Sequence, residues 1–208
     1  GCLFTGTKIS KVEKMQQQPS CPWVGTNPAM IEYHDTEWGV PVHEDRKLFE
    51  FITLDAFQAG LSWSCILKKR DNFREALDGF DPSLIARYDD AKIASLLANP
   101  GIIRNRAKIK AAINNARVFL AIQEAQGSFD TYIWSFVGHQ PIVNAWTELS
   151  QIPVSSPESD AMSRDLQKRG MSFVGTTICY AFMQAAGMVN DHLVSCHRYH
   201  SLQSAQMG

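Results

Sequence analysis

Leu96-Leu97-Ala98-Asn99-Pro100-Gly101-Ile102-Ile103-Arg104 sets a proline-glycine break between two helical runs. An apolar, helix-like run stops at Pro-Gly, because proline cannot continue a helix interior and restrains the residue before it. A new helical pattern opens at Arg106, with Ile109, Ile113, Ala116 and Leu120 on one stripe until Gly127. A tight glycine turn into a helix start presents backbone N–H groups to an anion, and Arg104 and Arg106 add charge.

Helical patterns continue on both sides of this turn. Residues 45–59 place Leu48, Ile52, Asp55 and Ala59 on one stripe, as an amphipathic helix would. Ser128 is an N-cap candidate for a helix through Tyr132, Ile133 and Phe136. Ser159 or Asp160 is expected to open a further helix that Gly170 closes behind Lys168 and Arg169. Thr176–Val189 is apolar nearly all round and predicts the central buried helix. Alternating strand signals are scarce, and no repeat appears at solenoid periods. The expected fold class is all-α, as one domain over residues 21–200. Residues 1–14 look like a leader ahead of Met15, 15–20 a polar lead-in, and 201–208 a tail.

Composition narrows the class. The 208 residues carry 20 Lys+Arg against 21 Asp+Glu, for a net charge of −1, with 45% apolar and 20% charged residues. This excludes wholesale disorder, and five cysteines are too few for a disulfide scaffold. No apolar run is long enough to span a bilayer, and the N-terminus lacks a secretory pattern, so an intracellular, cytoplasmic setting is expected. Near-zero net charge argues against a generic polyanion binder, but the charges are unevenly spread. From Ala91 to Gln123 there is no acid, while Lys92, Arg104, Arg106, Lys108, Lys110 and Arg117 lie there. A second basic cluster, Lys68-Lys69-Arg70 with Arg74, follows the turn at Gly60-Leu61. Alone, such runs are solvated faces; coinciding with the Gly101 turn, they suit phosphate binding. Turn and charge together have the form of a helix-hairpin-helix, which holds the DNA backbone, although Ile103 stands where a second glycine is usual.

The cysteines and histidines offer a second chemistry. His192 and Cys196, spaced H-x3-C, can face one side of a helical turn, and Cys21 and His34 lie near the other end. Imidazole nitrogen and thiolate sulfur suit a tetrahedral Zn²⁺, and four protein ligands would make it structural, leaving no position for a hydrolytic water. The pairs are far apart, so unrelated core and polar residues are the simpler reading of spacing alone, with His197 and His200 as rival ligands. Cys65 and Cys179 read as buried small hydrophobes, and Cys2 falls in the leader.

Asp55 shares its stripe with apolar residues, so periodicity sends a carboxylate inward. Burying an unpaired ion is costly, so such a group is either satisfied structurally or held for function. Tyr33, Trp38, Gln58 and Trp63 are its candidate neighbours. Aromatic planes plus one carboxylate suit a flat, cationic, hydrogen-bonding ring. For Trp38, core packing serves equally well. Gly60-Leu61 on an exposed turn could wedge into a base stack.

Cys21-Pro-Trp23, Tyr33-His34-Asp35 with Glu37-Trp38-Gly39-Val40-Pro41, Gln58-Ala-Gly-Leu-Ser-Trp63, Gly101-Ile-Ile-Arg104, Trp134-Ser-Phe136, Phe173-Val-Gly-Thr-Thr-Ile-Cys-Tyr180 and Val189-Asn-Asp-His192 closely resemble the 3-methyladenine DNA glycosylase I family. The resemblance runs from about Cys21 to Cys196. It implies an all-α, helix-hairpin-helix glycosylase fold with structural zinc on Cys21, His34, His192 and Cys196. It implies a lesion pocket at Trp23, Met30, Tyr33, Asp55 and Trp63, with Asp55 catalytic, and a gap-filling turn at Gly60-Leu61. DNA contacts fall to Gly60, Leu61, Lys68, Gly101, Arg104 and Arg106. The implied partner is double-stranded alkylated DNA, with no membrane or obligate protein partner, and the chain is expected to be a monomer. Two positions depart from the family: Asp55 stands where glutamate is usual, shortening the reach by one bond of about 1.5 Å, and Met30 stands where tyrosine is often found. The alternative is a zinc-stabilised lesion- or DNA-binding module whose turnover those departures have removed.

Overall fold

The computed structural model describes residues 19–206. The leader 1–14, Cys2, the lead-in before Pro19 and the last two residues of the tail lie outside the described residues. One 3-10 turn, Pro22–Val24, precedes helix α1 (Pro28–Thr36), where Asn27 caps by accepting from the Ala29 amide and Pro28 needs no amide partner. Helix α2 (Asp45–Gln58) follows, and every residue from Leu48 to Phe57 is buried. It packs against α3 (Trp63–Ala76), α6 (Arg106–Gln126), α7 (Phe129–Trp134) and α9 (Thr176–Ala185). The amphipathic helix of the sequence reading is therefore the central one. Between these lie α4 (Pro82–Ile85), α5 (Asp90–Ala98) and α8 (Pro157–Lys168), and α10 (His197–Gln206) closes the described chain. Two-residue strands β1 (Ile142–Val143) and β2 (Val189–Asn190) pair in parallel.

Polar groups fix the helix ends. The Asp45 carboxylate, at the start of α2, accepts from the amides of Phe129 and Asp130 at 2.8 Å, so one acid serves two helix N-termini. Arg70 on α3 holds Glu37 through both terminal nitrogens at 2.8 and 2.9 Å, and Glu50 of α2 at 2.7 Å. Its buried charge is thus matched by two carboxylates, which ties the end of α1 to α2 and α3.

Three expectations are corrected. Helix α8 starts at Pro157, capped by Ser156; Ser159 supplies the reciprocal half of a capping box instead of the cap itself. Helix α9 stops at Ala185, not Val189, because the chain turns at Gly187 with φ +70°. A Cβ there would come within 2.3 Å of the backbone of Val40 and Pro41, so only glycine allows the approach. The remaining apolar residues enter β2. His192 and Cys196 lie not on a helix but in the bend between β2 and α10. The caps expected at Ser128 and Gly127 are present.

Candidate active site and metal centre

The buried stripe of α2 delivers Asp55 to the lining of a cavity of about 240 Å³. Tyr33 and Met30 from α1, Trp23 from the preceding turn, and Trp38 form one wall; Trp63 at the start of α3 faces Tyr33 with ring centroids 5.3 Å apart. Trp38 lines the cavity and also packs edge-on against Trp23 at 4.9 Å, so it serves both pocket and core. Gln58, Ala181, Gln184, Ala185 and Ile152 complete the lining.

Asp55 is 2% exposed. Its Oδ2 has no hydrogen-bond partner among the described residues, and neither has Trp63 Nε1. A folded chain rarely leaves such atoms unpaired without a ligand in prospect. Among the described residues no cation pairs with the carboxyl, and burial pushes it well above the usual carboxylate range. Burial, and after it the Asp55 charge, raises Tyr33 as well. Cys179 behind Asp55 is pushed up to about 12 by burial and then by Asp55. It is buried as expected, whereas Cys65 is half-buried.

Beyond α2 the chain turns at Gly60 (φ +80°), which a side chain would strain, and Leu61 projects 40% exposed. The turn is braced from below. Lys108, on α6 just past the Gly101 hairpin, donates to the carbonyls of Phe57 at 2.9 Å and Ala59 at 2.6 Å. A cation at the carbonyl end of α2 is favourably placed against the helix dipole. Lys108 is only 8% exposed and so leaves the expected basic face. Others are held by partners: Lys92 pairs with Asp78, Arg117 with the Ala86 carbonyl, Lys69 with the Pro100 carbonyl, and Arg70 and Arg74 with Glu50. Arg104, Arg106 and Lys68 stay exposed. At the hairpin, Asn99 Oδ1 already accepts from the Gly101 amide at 2.8 Å, so that N–H is not open to a phosphate as expected; Asn72 holds the Gly101 carbonyl.

Cys21, His34, His192 and Cys196 are all buried, and their ligand atoms lie within 4.8 Å of one another, so the cluster could hold a metal. Outer hydrogen bonds fix both imidazoles. His34 Nδ1 donates to Asp35 at 2.6 Å and His192 Nε2 to the Trp38 carbonyl at 2.9 Å. His34 Nε2 and His192 Nδ1 then face each other 3.1 Å apart as lone pairs, with Cys196 Sγ at 3.4 and 3.6 Å and Cys21 Sγ at 3.7 Å from His192. The Cys21 thiol, then both imidazoles, draw Cys196 far down toward thiolate. Two facing lone pairs and a thiolate repel unless a cation sits between them, so the donor set fits a metal ion. Of the rival ligands, His197 bonds outward to Asp35 and the Pro19 carbonyl.

Sequence reasoning missed Gln184 and its buried partner Asp191. A glutamine in the otherwise apolar run of α9 was the available signal.

A helical chain with a buried carboxyl in the lining of an aromatic cavity, beside a projecting glycine-leucine turn, has the build of a protein that receives an extruded base. The methyladenine glycosylase family profile matches residues 23–199. DNA-3-methyladenine glycosylase 1 of Escherichia coli strain K12 is 51% identical over 179 residues, covering 86% of this chain and 96% of that protein. DNA-3-methyladenine glycosylase of Haemophilus influenzae is 48% identical over 176 residues, covering 85% and 95%. A crystal structure of a variant 3-methyladenine DNA glycosylase I in complex with 3-methyladenine superposes with a TM-score of 0.84 at 32% identity, covering 86% and 97%. The chain belongs to the methyladenine glycosylase family.

Proposed function

We propose that this chain is a monofunctional DNA glycosylase that flips 3-methyladenine out of alkylated duplex DNA and hydrolyses its glycosidic bond, leaving an abasic site. The observation that carries this is the buried Asp55 carboxyl in the lining of an aromatic cavity, its Oδ2 without a hydrogen-bond partner among the described residues. Alkylation at N3 gives the purine a positive charge and weakens both its bond to the sugar and its hold in the duplex. Trp63, Tyr33 and Trp23 offer ring faces to the cation. Asp55, whose charge is disfavoured by burial in the empty cavity, accepts as the carboxylate from the N–H edge of the incoming cation, so a neutral purine gains less. Water then attacks the sugar carbon, the carbon–nitrogen bond breaks, its electron pair leaves with the now neutral base, and the water's proton goes to solvent. Gly60-Leu61 occupies the gap in the stack.

The α5–α6 hairpin reads as a helix-hairpin-helix that holds the DNA backbone through the exposed Arg104 and Arg106, with exposed Lys68 as a further phosphate contact. Zinc is the ion the Cys₂His₂ set suits. Zn–N bonds of about 2.0–2.1 Å and Zn–S bonds of about 2.3 Å in a tetrahedron bring ligand atoms roughly 3.3–3.8 Å apart, close to the spacing of the cluster. With four protein ligands it supplies a clasp, not a reacting water.

Abasic-site formation in methylated against unmethylated duplex DNA tests the proposal. Sites confined to the methylated duplex are expected; binding without abasic sites would leave a lesion-binding module. Arg104→Ala is expected to weaken DNA binding roughly uniformly across sequences and to reduce the salt slope by about 1, leaving affinity for the free base unchanged. Titrating binding against salt checks this.

A further inference from the structure

Gln184 projects from α9, is half-buried and lines the cavity. Its Nε2 donates to Asp191 Oδ2 at 2.9 Å. Asp191 is 1% exposed, and its carboxylate also accepts from Tyr180 OH at 2.5 Å, Asn144 Nδ2 at 2.7 Å and Trp146 Nε1 at 2.8 Å. Every other contact to this carboxyl comes from a donor, so its oxygens act as acceptors and take the amide's N–H₂ end. Turning the carboxamide over would set two acceptor oxygens against each other and leave a donor without a partner. The orientation of Gln184 is therefore fixed from behind. Its Oε1, which has no hydrogen-bond partner among the described residues, is the polar end left for the cavity.

An oxygen so fixed accepts and never donates. Asp55 does not have that property, since a protonated carboxyl can also donate. Adenine carries an amino donor at the ring position where guanine carries a carbonyl acceptor. A pocket relying on Asp55 alone could meet either group by moving one proton; Gln184 removes that freedom. We infer that Gln184 is a specificity-determining residue whose carbonyl oxygen accepts from the exocyclic amine of alkylated adenine and repels the carbonyl oxygen of alkylated guanine, with Asp191 as its positioning residue. The inference rests on the base-excision reading of the same cavity.

Duplex DNA carrying both 3-methyladenine and 3-methylguanine, with the released bases separated by chromatography, tests it. Gln184→Met keeps size and helix propensity while removing the acceptor. The ratio of 3-methyladenine to 3-methylguanine released is expected to fall roughly tenfold, the scale of one hydrogen bond to a buried group. Asp191→Asn should lower the ratio similarly, and adding Gln184→Met to it should lower it little further. Metal content and melting temperature show that the variants fold; if Gln184→Met does not, Gln184→Ala is read in the same way. An unchanged ratio, whether both rates fall together or neither moves, overturns the inference. A wild-type chain that releases neither base defeats the base-excision reading instead.

Discussion

Stripping the metal proposed for Cys21, His34, His192 and Cys196, or replacing a candidate ligand as in Cys196→Ser, is expected to lower the melting temperature by on the order of 10 °C or more. Binding a structural ion is coupled to folding, and losing about 3 kcal/mol or more from a chain of this size has that effect. The cluster joins the segment before α1 and α1 itself to the bend before α10. Without the ion, two imidazole lone pairs 3.1 Å apart face a sulfur already drawn toward thiolate. The same segment carries Trp23, Tyr33 and Trp38, which pack with Cys21, Leu193 and Cys196 in one apolar cluster. Excision should therefore fall with stability, although no ligand touches the cavity's reacting end. Calorimetry with and without a chelator, paired with metal analysis, checks this; an unchanged melting temperature after complete metal loss would contradict it.

Asp55→Asn is expected to cut base release on the order of 10²–10³-fold, the scale for removing a preorganised group facing developing charge, while making the protein more stable at neutral pH. The stability gain follows from burial. The folded-state pKa of Asp55 is raised, so the neutral acid is the favoured buried form. Its contribution to stability is fully present below the unfolded value of about 3.9 and is lost as pH rises through the folded value. Asparagine has no charge to desolvate. The variant should therefore melt a few °C higher near pH 7, with roughly 2–4 °C per kcal/mol at this size, and the difference should close toward pH 4 and below. Melting curves at several pH values, set beside the base-release rate, check both halves. A variant that is slower and less stable at every pH would mark Asp55 as an ordinary structural residue.

Much of the helical layout was legible because apolar periodicity reports which face of a helix is buried. Ile109, Ile113 and Ala116 share a stripe in the sequence and line the interior in the fold, while Arg106 and Lys110 stay exposed. What periodicity does not encode is the approach of distant segments. The end of α9 is set by the backbone of Val40 and Pro41 against Gly187, a contact across 147 positions that the apolar run cannot reveal. The start of α8 was misplaced because Ser159 has the chemistry of a cap, but Ser156 ahead of Pro157 forms the one used.

The candidate metal ligands were legible as chemistry but not as geometry. Their residue types suggested zinc, yet the spacing of His192 and Cys196 suggested a helix that is not there. The basic stretch misled for the same reason that it informed. An acid-free run near a hairpin pointed to phosphate, but a side chain as long as Lys108 can also reach inward and hold the carbonyls of Phe57 and Ala59. Asp55 gave itself away as a carboxylate among apolar neighbours. Gln184 sat equally anomalously in α9, and only its hydrogen bond to Asp191 shows which end of its amide is bound.

The most direct measurement is the chromatographic identity of the base that the wild-type chain liberates from methylated duplex DNA. Free 3-methyladenine, appearing in step with abasic sites and abolished by Asp55→Asn, is the predicted result. No released base, or 3-methyladenine liberated as fast by the asparagine variant, would contradict the assignment of the cavity.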